Sequence, residues 1–343
     1  MIVAEIANNH LGCLREAERL IDAVAGVSTR TSTPVAVKFQ LRDLNVLLHR
    51  TLQSAHSQRY VRKIRSRSLP LDVYGDLSKR ARDHGLIVAA TVFDESAIDA
   101  AVNFGISILK LASADLCDYH LATHLATTRS NIVLSTGGAR WTDIQAAVAL
   151  LSESARTLTI NHCVSLYPTP IDALRLGNIS ALRSHFPHAT IGFSTHQPDL
   201  AIASTVRRAC CLGAMTLERH IAPTRFGFAP YNSDPDQFAR WSEVFRDAVG
   251  HTYDAPQVRF AGPTEAEAQY LAPTRRGLYA KKSLPPGCRL TVHNTYSAIP
   301  WLPNCLSAAC LRLPLVITNH VDAHGPVSRA SVGSDLCEEQ AVR

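Results

Sequence analysis

Three observations predict an α/β fold, a closed (β/α)8 TIM barrel followed by a small β-rich unit. Eight short apolar runs alternate with segments of helical spacing between residues 1 and 255. Polar residues recur at the C-terminal ends of these runs. Beyond residue 255 the sequence turns proline-punctuated and then turn-rich.

The predicted strands are Ile2–Ile6, Val35–Phe39, Leu86–Val92, Ile106–Leu111, Asn131–Ser135, Thr157–Val164, Ala189–Ser194 and Ala214–Glu218. Between them apolar residues recur at spacings of three and four, as in Ala17, Leu20, Ile21 and Val24. Ile144, Ala147, Val148 and Leu151 do the same, with Thr142 as the expected N-cap. The strand ends carry Glu5 with Asn9-His10, Lys38 with Gln40, Thr91 with Asp94, and Lys110 with Ser113 and Asp115. They continue with Ser135-Thr136-Gly137-Gly138 and with His162, Ser165 and Tyr167. A barrel gathers all of these into one ring at its C-terminal face, where such folds place their chemistry. His196 and His220 end two runs of one βαβ unit. Two neutral imidazoles on one rim can hold a divalent metal and leave positions open for substrate; the competing reading is a pair of hydrogen-bonded structural histidines. Pro256, Pro263 and Pro273 mark a linker at 256–273. Short β-like runs and the Pro285-Pro286-Gly287 turn then mark a second domain at 274–343.

A chain of 343 residues, 46% hydrophobic and 19% charged, can bury a full core. No apolar run approaches the roughly 20 residues that span a bilayer, and no basic leader precedes the first strand, so a cytoplasmic protein is expected. Nine cysteines, an odd number without a CxxC pair, read as free thiols in a reducing compartment. The net charge of +6 suits an anionic small substrate. The basic run Arg62-Lys63-Ile64-Arg65-Ser66-Arg67 reads as a solvated face, because no aromatic stacking pattern accompanies it; neither nucleic acid nor membrane is an expected partner.

Eight motifs in order resemble the sialic acid synthase family, the phosphoenolpyruvate-dependent N-acetylneuraminate synthases and their relatives. They are Ala4-Glu5-Ile6-Ala7-Asn8-Asn9-His10-Leu11-Gly12, Val37-Lys38-Phe39-Gln40, Leu109-Lys110-Leu111-Ala112-Ser113-Ala114-Asp115 and Leu134-Ser135-Thr136-Gly137-Gly138. His162-Cys163-Val164-Ser165-Leu166-Tyr167-Pro168, Gly192-Phe193-Ser194-Thr195-His196, Glu218-Arg219-His220 and Arg275-Arg276-Gly277-Leu278-Tyr279 follow. The last resembles the start of an antifreeze-like (SAF) domain.

The resemblance implies a transferase that condenses phosphoenolpyruvate with an open-chain sugar aldehyde, giving a 2-keto-3-deoxy acid and phosphate. On that reading Lys38 and Lys110 are the cations for phosphoenolpyruvate, and Ser113, Ser135, Ser165 and Ser194 are hydroxyl donors. His196 and His220 hold Mn²⁺ or Mg²⁺. Glu5, a catalytic candidate with the two lysines, orients or deprotonates water. Gln40, Thr91, Asp115, Tyr167, Glu218 and Tyr231 contact the acceptor. A homodimer is implied, with each small domain capping the other barrel. Departures fall on the acceptor side. Thr195 replaces an aspartate. Phe228-Ala229-Pro230-Tyr231-Asn232-Ser233-Asp234 lacks an acidic residue at the expected place. Ile299-Pro300 stands where the family has Arg-Pro, and isoleucine makes no charge-assisted bond. The expected acceptor is therefore not N-acetylmannosamine but a less polar or differently decorated aldehyde, as in a specialised-metabolite or surface-glycan pathway. The alternatives are an ordinary N-acetylneuraminate, legionaminate or pseudaminate synthase in which Arg312 fills the pocket, or a non-catalytic barrel.

Overall fold

The computed structural model describes residues 1–53, 59–199, 201–223, 229–253 and 258–333. Eight parallel strands close on themselves: β1 (Ile2–Glu5), β2 (Val35–Leu41), β3 (Ile87–Val92), β4 (Ile108–Leu111), β5 (Asn131–Ser135), β6 (Thr157–His162), β7 (Thr190–Thr195) and β8 (Thr216–Ile221). β1 pairs with both β2 and β8, which removes the sheet edges. Around it run α1 (Leu14–Thr31), α2 (Leu44–Leu47), α3 (Arg50–Gln53), α4 (Arg59–Arg65), α5 (Val73–Asp83) and α6 (Glu95–Asn103). α7 (Tyr119–Thr127), α8 (Trp141–Leu151), α9 (Gly177–His185), α10 (Ile202–Cys211), α11 (Pro235–Ala248) and α12 (Glu265–Leu271) complete the set. β9 (Asn232–Ser233) pairs in parallel with the end of β8.

The amphipathic spacing forms as expected: Ala17, Leu20, Ile21 and Val24 of α1 are buried in the layer between helices and strands. Thr142 does not cap α8. Arg140 is the N-cap, and its backbone N–H donates to Asp143 in a capping box. Thr142 is the second residue of the helix, past the position from which a side-chain oxygen caps the first turn.

Strand register decides what faces the barrel axis, because register partners in a parallel pair point the same way. Glu5 pairs with both Lys38 and His220, Thr91 with Lys110, Ser135 with Asn161, and Ser194 with Glu218. One polar lining results, assembled from residues two apart along each strand. Gly192 pairs with both Asn161 and Thr216, whose side chains hydrogen-bond across it at 3.4 Å. A Cβ at Gly192 would collide with both of those side-chain oxygens. Gly192→Ala is therefore expected to lose about 1–3 kcal/mol by overpacking, read as a lowered urea midpoint.

Beyond the barrel, β10 (Gly277–Ala280) and β11 (Thr295–Ala298) pair antiparallel over a separate apolar cluster that includes Leu278, Leu284, Leu306, Ile317 and Val327. This C-terminal unit packs against the barrel of the same chain. Ile299 joins Leu47, Leu48, Leu52, Val61 and Ile64 in an apolar cluster. Its N–H donates to Leu47 O (2.9 Å), and its carbonyl accepts from His49 N–H (2.8 Å). Arg276 pairs with Asp115 at 2.8 Å in a buried salt bridge. Residues 334–343 of the expected second domain, with Cys337, lie outside the described residues; the eight described cysteines are free thiols. No described helix is long and apolar enough to cross a membrane.

Candidate active site

A cavity of about 240 Å³ opens at the C-terminal end of the barrel. Its walls include Glu5, Lys38, Gln40, Thr91, Lys110, Ser113, Ser135, Ser165, Tyr167, Ser194, His196, Glu218 and His220. Nearly every residue singled out in the sequence therefore meets in one place.

The two lysines are not bare. Lys38 pairs with Glu5 and lies 3.6 Å from Glu218, and it donates to Thr91 Oγ1 at 2.7 Å. Lys110 pairs with Glu218 at 2.5 Å, and Ser194 Oγ donates to the same carboxylate oxygen at 3.0 Å. Burial pulls Lys38 down to about 7, helped by Lys110 and opposed by Glu218. Burial also works against the Glu218 anion, but Lys110 and Lys38 outweigh it and hold this carboxyl well below its usual range. Two cations and two carboxylates thus balance at the cavity floor. Thr91 and Glu218, expected at the acceptor, serve first as partners of these lysines.

Buried Glu5 Oε1 and Ser135 Oγ have no hydrogen-bond partner among the described residues. Gly137 N–H donates to Ser113 Oγ and Cys163 Sγ, both at 3.2 Å. The His196 and His220 rings lie 5.3 Å apart. Burial lowers His196 to about 3 and His220 well below the ordinary histidine value, so both are neutral, as a metal ligand must be. Tyr167 packs on His196 (3.8 Å) and Tyr270 stacks on Tyr167 (5.2 Å).

Two acceptor assignments change. Asp115 does not line the cavity: it follows β4 in a tight turn, Ser113–Asp115, and its carboxylate faces Arg276. Tyr231 stands behind the lining and meets Tyr167 and His220 edge-on at 5.3 and 5.5 Å. Asp234 caps α11 by accepting from Gln237 N–H at 2.7 Å, and Phe228 lies outside the described residues. Thr195 alternates with inward-facing Ser194, so it points away from the cavity. Arg312 Nε donates to Ala309 O, far from the cavity lining.

Sequence reasoning missed the roof. α12 lies inside the stretch read as a linker, and its Tyr270, Leu271 and the following Thr274 line the cavity. Glu267 anchors it. This fully buried carboxylate accepts from Gly138 N–H (3.0 Å), Ser165 N–H (3.1 Å) and Thr264 N–H (3.1 Å), and it pairs with Arg175. Gly138 has φ +70°, and Leu271 crowds the place of its missing Cβ. The signal was present in Thr264-Glu265-Ala266-Glu267, a capping-box pattern.

His162 faces outward. Its Nε2 donates to Leu174 O at 2.8 Å, Nδ1 is buried without a partner, and burial lowers its pKa to about 4. A histidine depressed in the fold takes up its proton in the unfolded chain first, so its stabilising contribution is whole above about pH 6.5 and is lost as pH falls towards 4. His162 is expected to contribute roughly 3 kcal/mol of the stability lost over that window, alongside His10, His196 and His220, and His162→Gln is expected to make the urea-midpoint profile less steep.

The fold defines a (β/α)8 barrel with a polar cavity at the C-terminal ends of its strands. The sequence matches the NeuB family over residues 30–230, and the chain belongs to that family. It is similar to the spore coat polysaccharide biosynthesis protein SpsE of Bacillus subtilis, with 31% identity over 228 residues, 64% of this chain and 58% of that protein. It is also similar to N-acetylneuraminate-9-phosphate synthase of Drosophila melanogaster, with 29% identity over 227 residues, 64% and 59% of the two chains. These matches span less than two thirds of either relative. The crystal structure of SpsE from Bacillus subtilis has the same fold, with a TM-score of 0.76 at 23% identity over 98% of this chain and 96% of that one.

Proposed function

We propose that this chain is a phosphoenolpyruvate-dependent synthase that joins the methylene carbon of phosphoenolpyruvate to the aldehyde carbon of an open-chain sugar. Water then adds at C2 and the C2–O bond to phosphate breaks, leaving a 2-keto-3-deoxy acid and inorganic phosphate. The convergence of Lys38, Lys110, two neutral imidazoles and an unpartnered serine hydroxyl in one cavity carries this reading.

Lys38 and Lys110 bind the anionic donor, whose charges compete with Glu5 and Glu218 for the ammonium groups. Ser135 Oγ, with Ser113, Ser165 and Ser194, donates to phosphate or carboxylate oxygens. Glu5 holds the attacking water on its free Oε1 and takes its proton. Gln40 and Tyr167 face the acceptor. His196 and His220 are neutral and face the same space, so they fit a divalent cation, Mn²⁺ or Mg²⁺, as its protein ligands. Among the described residues no group of three or more acidic, His or Cys side chains is placed to hold it, so the two histidines would be its protein ligands and water or substrate would supply the rest. Such a cation would supply Lewis-acid stabilisation of negative charge on the aldehyde oxygen.

We read the C-terminal unit as an antifreeze-like (SAF) domain and the enzyme as a cytoplasmic homodimer; the motifs after Arg275 and the free thiols support this, and light scattering tests the dimer. We also read the acceptor as something other than N-acetylmannosamine, because Ile299 is packed away from the cavity.

Purified protein is expected to release phosphate from phosphoenolpyruvate with at least one of a panel of open-chain sugars, the product being identified by mass spectrometry. Chelation is expected to abolish release and Mn²⁺ to restore it, with calorimetric Mn²⁺ binding lost in His196→Ala. No binding of phosphoenolpyruvate would overturn the reading; efficient use of N-acetylmannosamine would overturn only the acceptor part.

A further inference from the structure

The loop after β4 serves the cavity but is gripped from the C-terminal unit. β4 ends at Leu111, and the tight turn Ser113–Asp115 follows. Asp115 N–H donates to Ala112 O (3.0 Å), and Asp118 N–H donates to Asp115 O (2.8 Å). Ser113 lines the cavity, where its Oγ accepts from Gly137 N–H at 3.2 Å. A single 3₁₀ turn has poorer hydrogen-bond geometry than an α-helix and adds little rigidity of its own. What fixes it is therefore a question for its surroundings.

Arg276 stands directly before β10 and reaches back to this turn. Its Nη2 lies 2.8 Å from Asp115 Oδ1 and its Nη1 lies 3.7 Å from Asp118 Oδ2. All three side chains are buried. Asp118 also caps α7, accepting from His120 N–H (3.0 Å) and Leu121 N–H (3.3 Å). One guanidinium thus spans the turn that carries Ser113 and the helix that follows it. A second tie lies one residue into that helix. His120 Nε2 donates to Thr295 Oγ1 of β11 (3.1 Å), whose own hydrogen goes to Thr291 O (2.6 Å). Asp94 is a further acidic neighbour of Arg276, and Arg42 acts on Asp115 from farther away. Among the described residues Arg276 is the cation in contact with Asp115.

Taking one partner from a buried ion pair strands the other as an uncompensated charge. The turn can relieve that strain by swinging Asp115 towards water, and Ser113 would swing with it. We infer that Arg276 is a positioning residue for donor binding: from the C-terminal unit it fixes the Ser113–Asp115 turn and so aims the Ser113 hydroxyl at phosphoenolpyruvate. This rests on the synthase reading above. It gives the appended unit a share in the donor side of the reaction, through a residue that does not itself line the cavity.

Calorimetry of phosphoenolpyruvate binding to the full-length protein tests this without any acceptor. Arg276→Gln is expected to raise the donor Kd at least about tenfold, the scale of one hydrogen bond to a charged group. Arg276→Lys keeps the cation and is expected to raise it less. A double-mutant cycle decides whether the effect passes through Ser113. In a Ser113→Ala background, where the hydroxyl is already gone, Arg276→Gln is expected to change Kd by less than about threefold. A loss in that background as large as in the parent, or an unchanged Kd in Arg276→Gln itself, overturns the inference and leaves the synthase reading standing. If Arg276→Gln does not fold, Asp115→Asn takes its place in the same cycle with the same two outcomes, since it weakens the grip from the other side and leaves Arg276 an acceptor oxygen. A parent protein that does not bind phosphoenolpyruvate overturns both readings.

Discussion

Lys110→Met is expected to lower kcat/KM for phosphoenolpyruvate by about 10²–10³-fold, the scale seen when one preorganised charge-stabilising donor is removed. The same change is expected to destabilise the fold by about 3–5 kcal/mol, because it strands a buried carboxylate. Glu218 would retain Lys38 at 3.6 Å and the Ser194 hydroxyl, and would lose its 2.5 Å partner. The two effects separate in a double variant. Lys110→Met with Glu218→Leu removes both charges of the pair, so it should regain most of the stability and none of the activity. Urea titration and phosphate release on the same three proteins, the parent and the two variants, read the outcome. A double variant as unstable as the single one would show that the pair is not the source of the loss.

Glu267→Ala is expected to cost about 3 kcal/mol or more, since the N–H groups of Gly138, Ser165 and Thr264 and the Arg175 guanidinium lose one shared acceptor. Turnover should fall beyond what instability explains. Ser165 and the Gly137-Gly138 loop line or border the cavity, and Tyr270 and Leu271 roof it. Glu267→Gln keeps an acceptor oxygen but not the charge opposite Arg175, so it should lie between alanine and the parent in both urea midpoint and KM for phosphoenolpyruvate. A glutamine variant indistinguishable from alanine would mean that the charge, not the hydrogen bonding to the two loops, holds the roof.

The barrel was legible because its signal is local. Each strand is an apolar run, and each of the expected runs contains or overlaps an observed strand. The polar ring was legible for the same reason, since inward parity follows from counting by twos from Glu5, Lys38 or Glu218. The pairing inside the ring was not. Lys110 and Glu218 are separated by 108 positions, and no local pattern states that one lysine will find its counter-ion on β8 rather than on a substrate. Asp115 failed likewise, because Arg276 lies in the C-terminal unit and a short turn rotates the carboxylate towards it. α12 is the instructive case. Prolines at 256, 263 and 273 suggest a linker; Pro256 lies outside the described residues, and Pro263 and Pro273 flank α12. The Thr264–Glu267 box between them announced a helix that composition alone obscured.

Thr274 touches the cavity, and the next residue, Arg275, stacks its guanidinium on Trp301 at 4.4 Å in the C-terminal unit. Catalytic chamber and appended domain therefore share a continuous stretch of polypeptide with an indole at its far side. Of three tryptophans in the chain, this is the one tied to the chamber roof through a neighbouring residue. Filling the chamber is therefore expected to change Trp301 fluorescence, and a chimera that exchanges the appended domain keeps this contact only if its junction falls after Trp301.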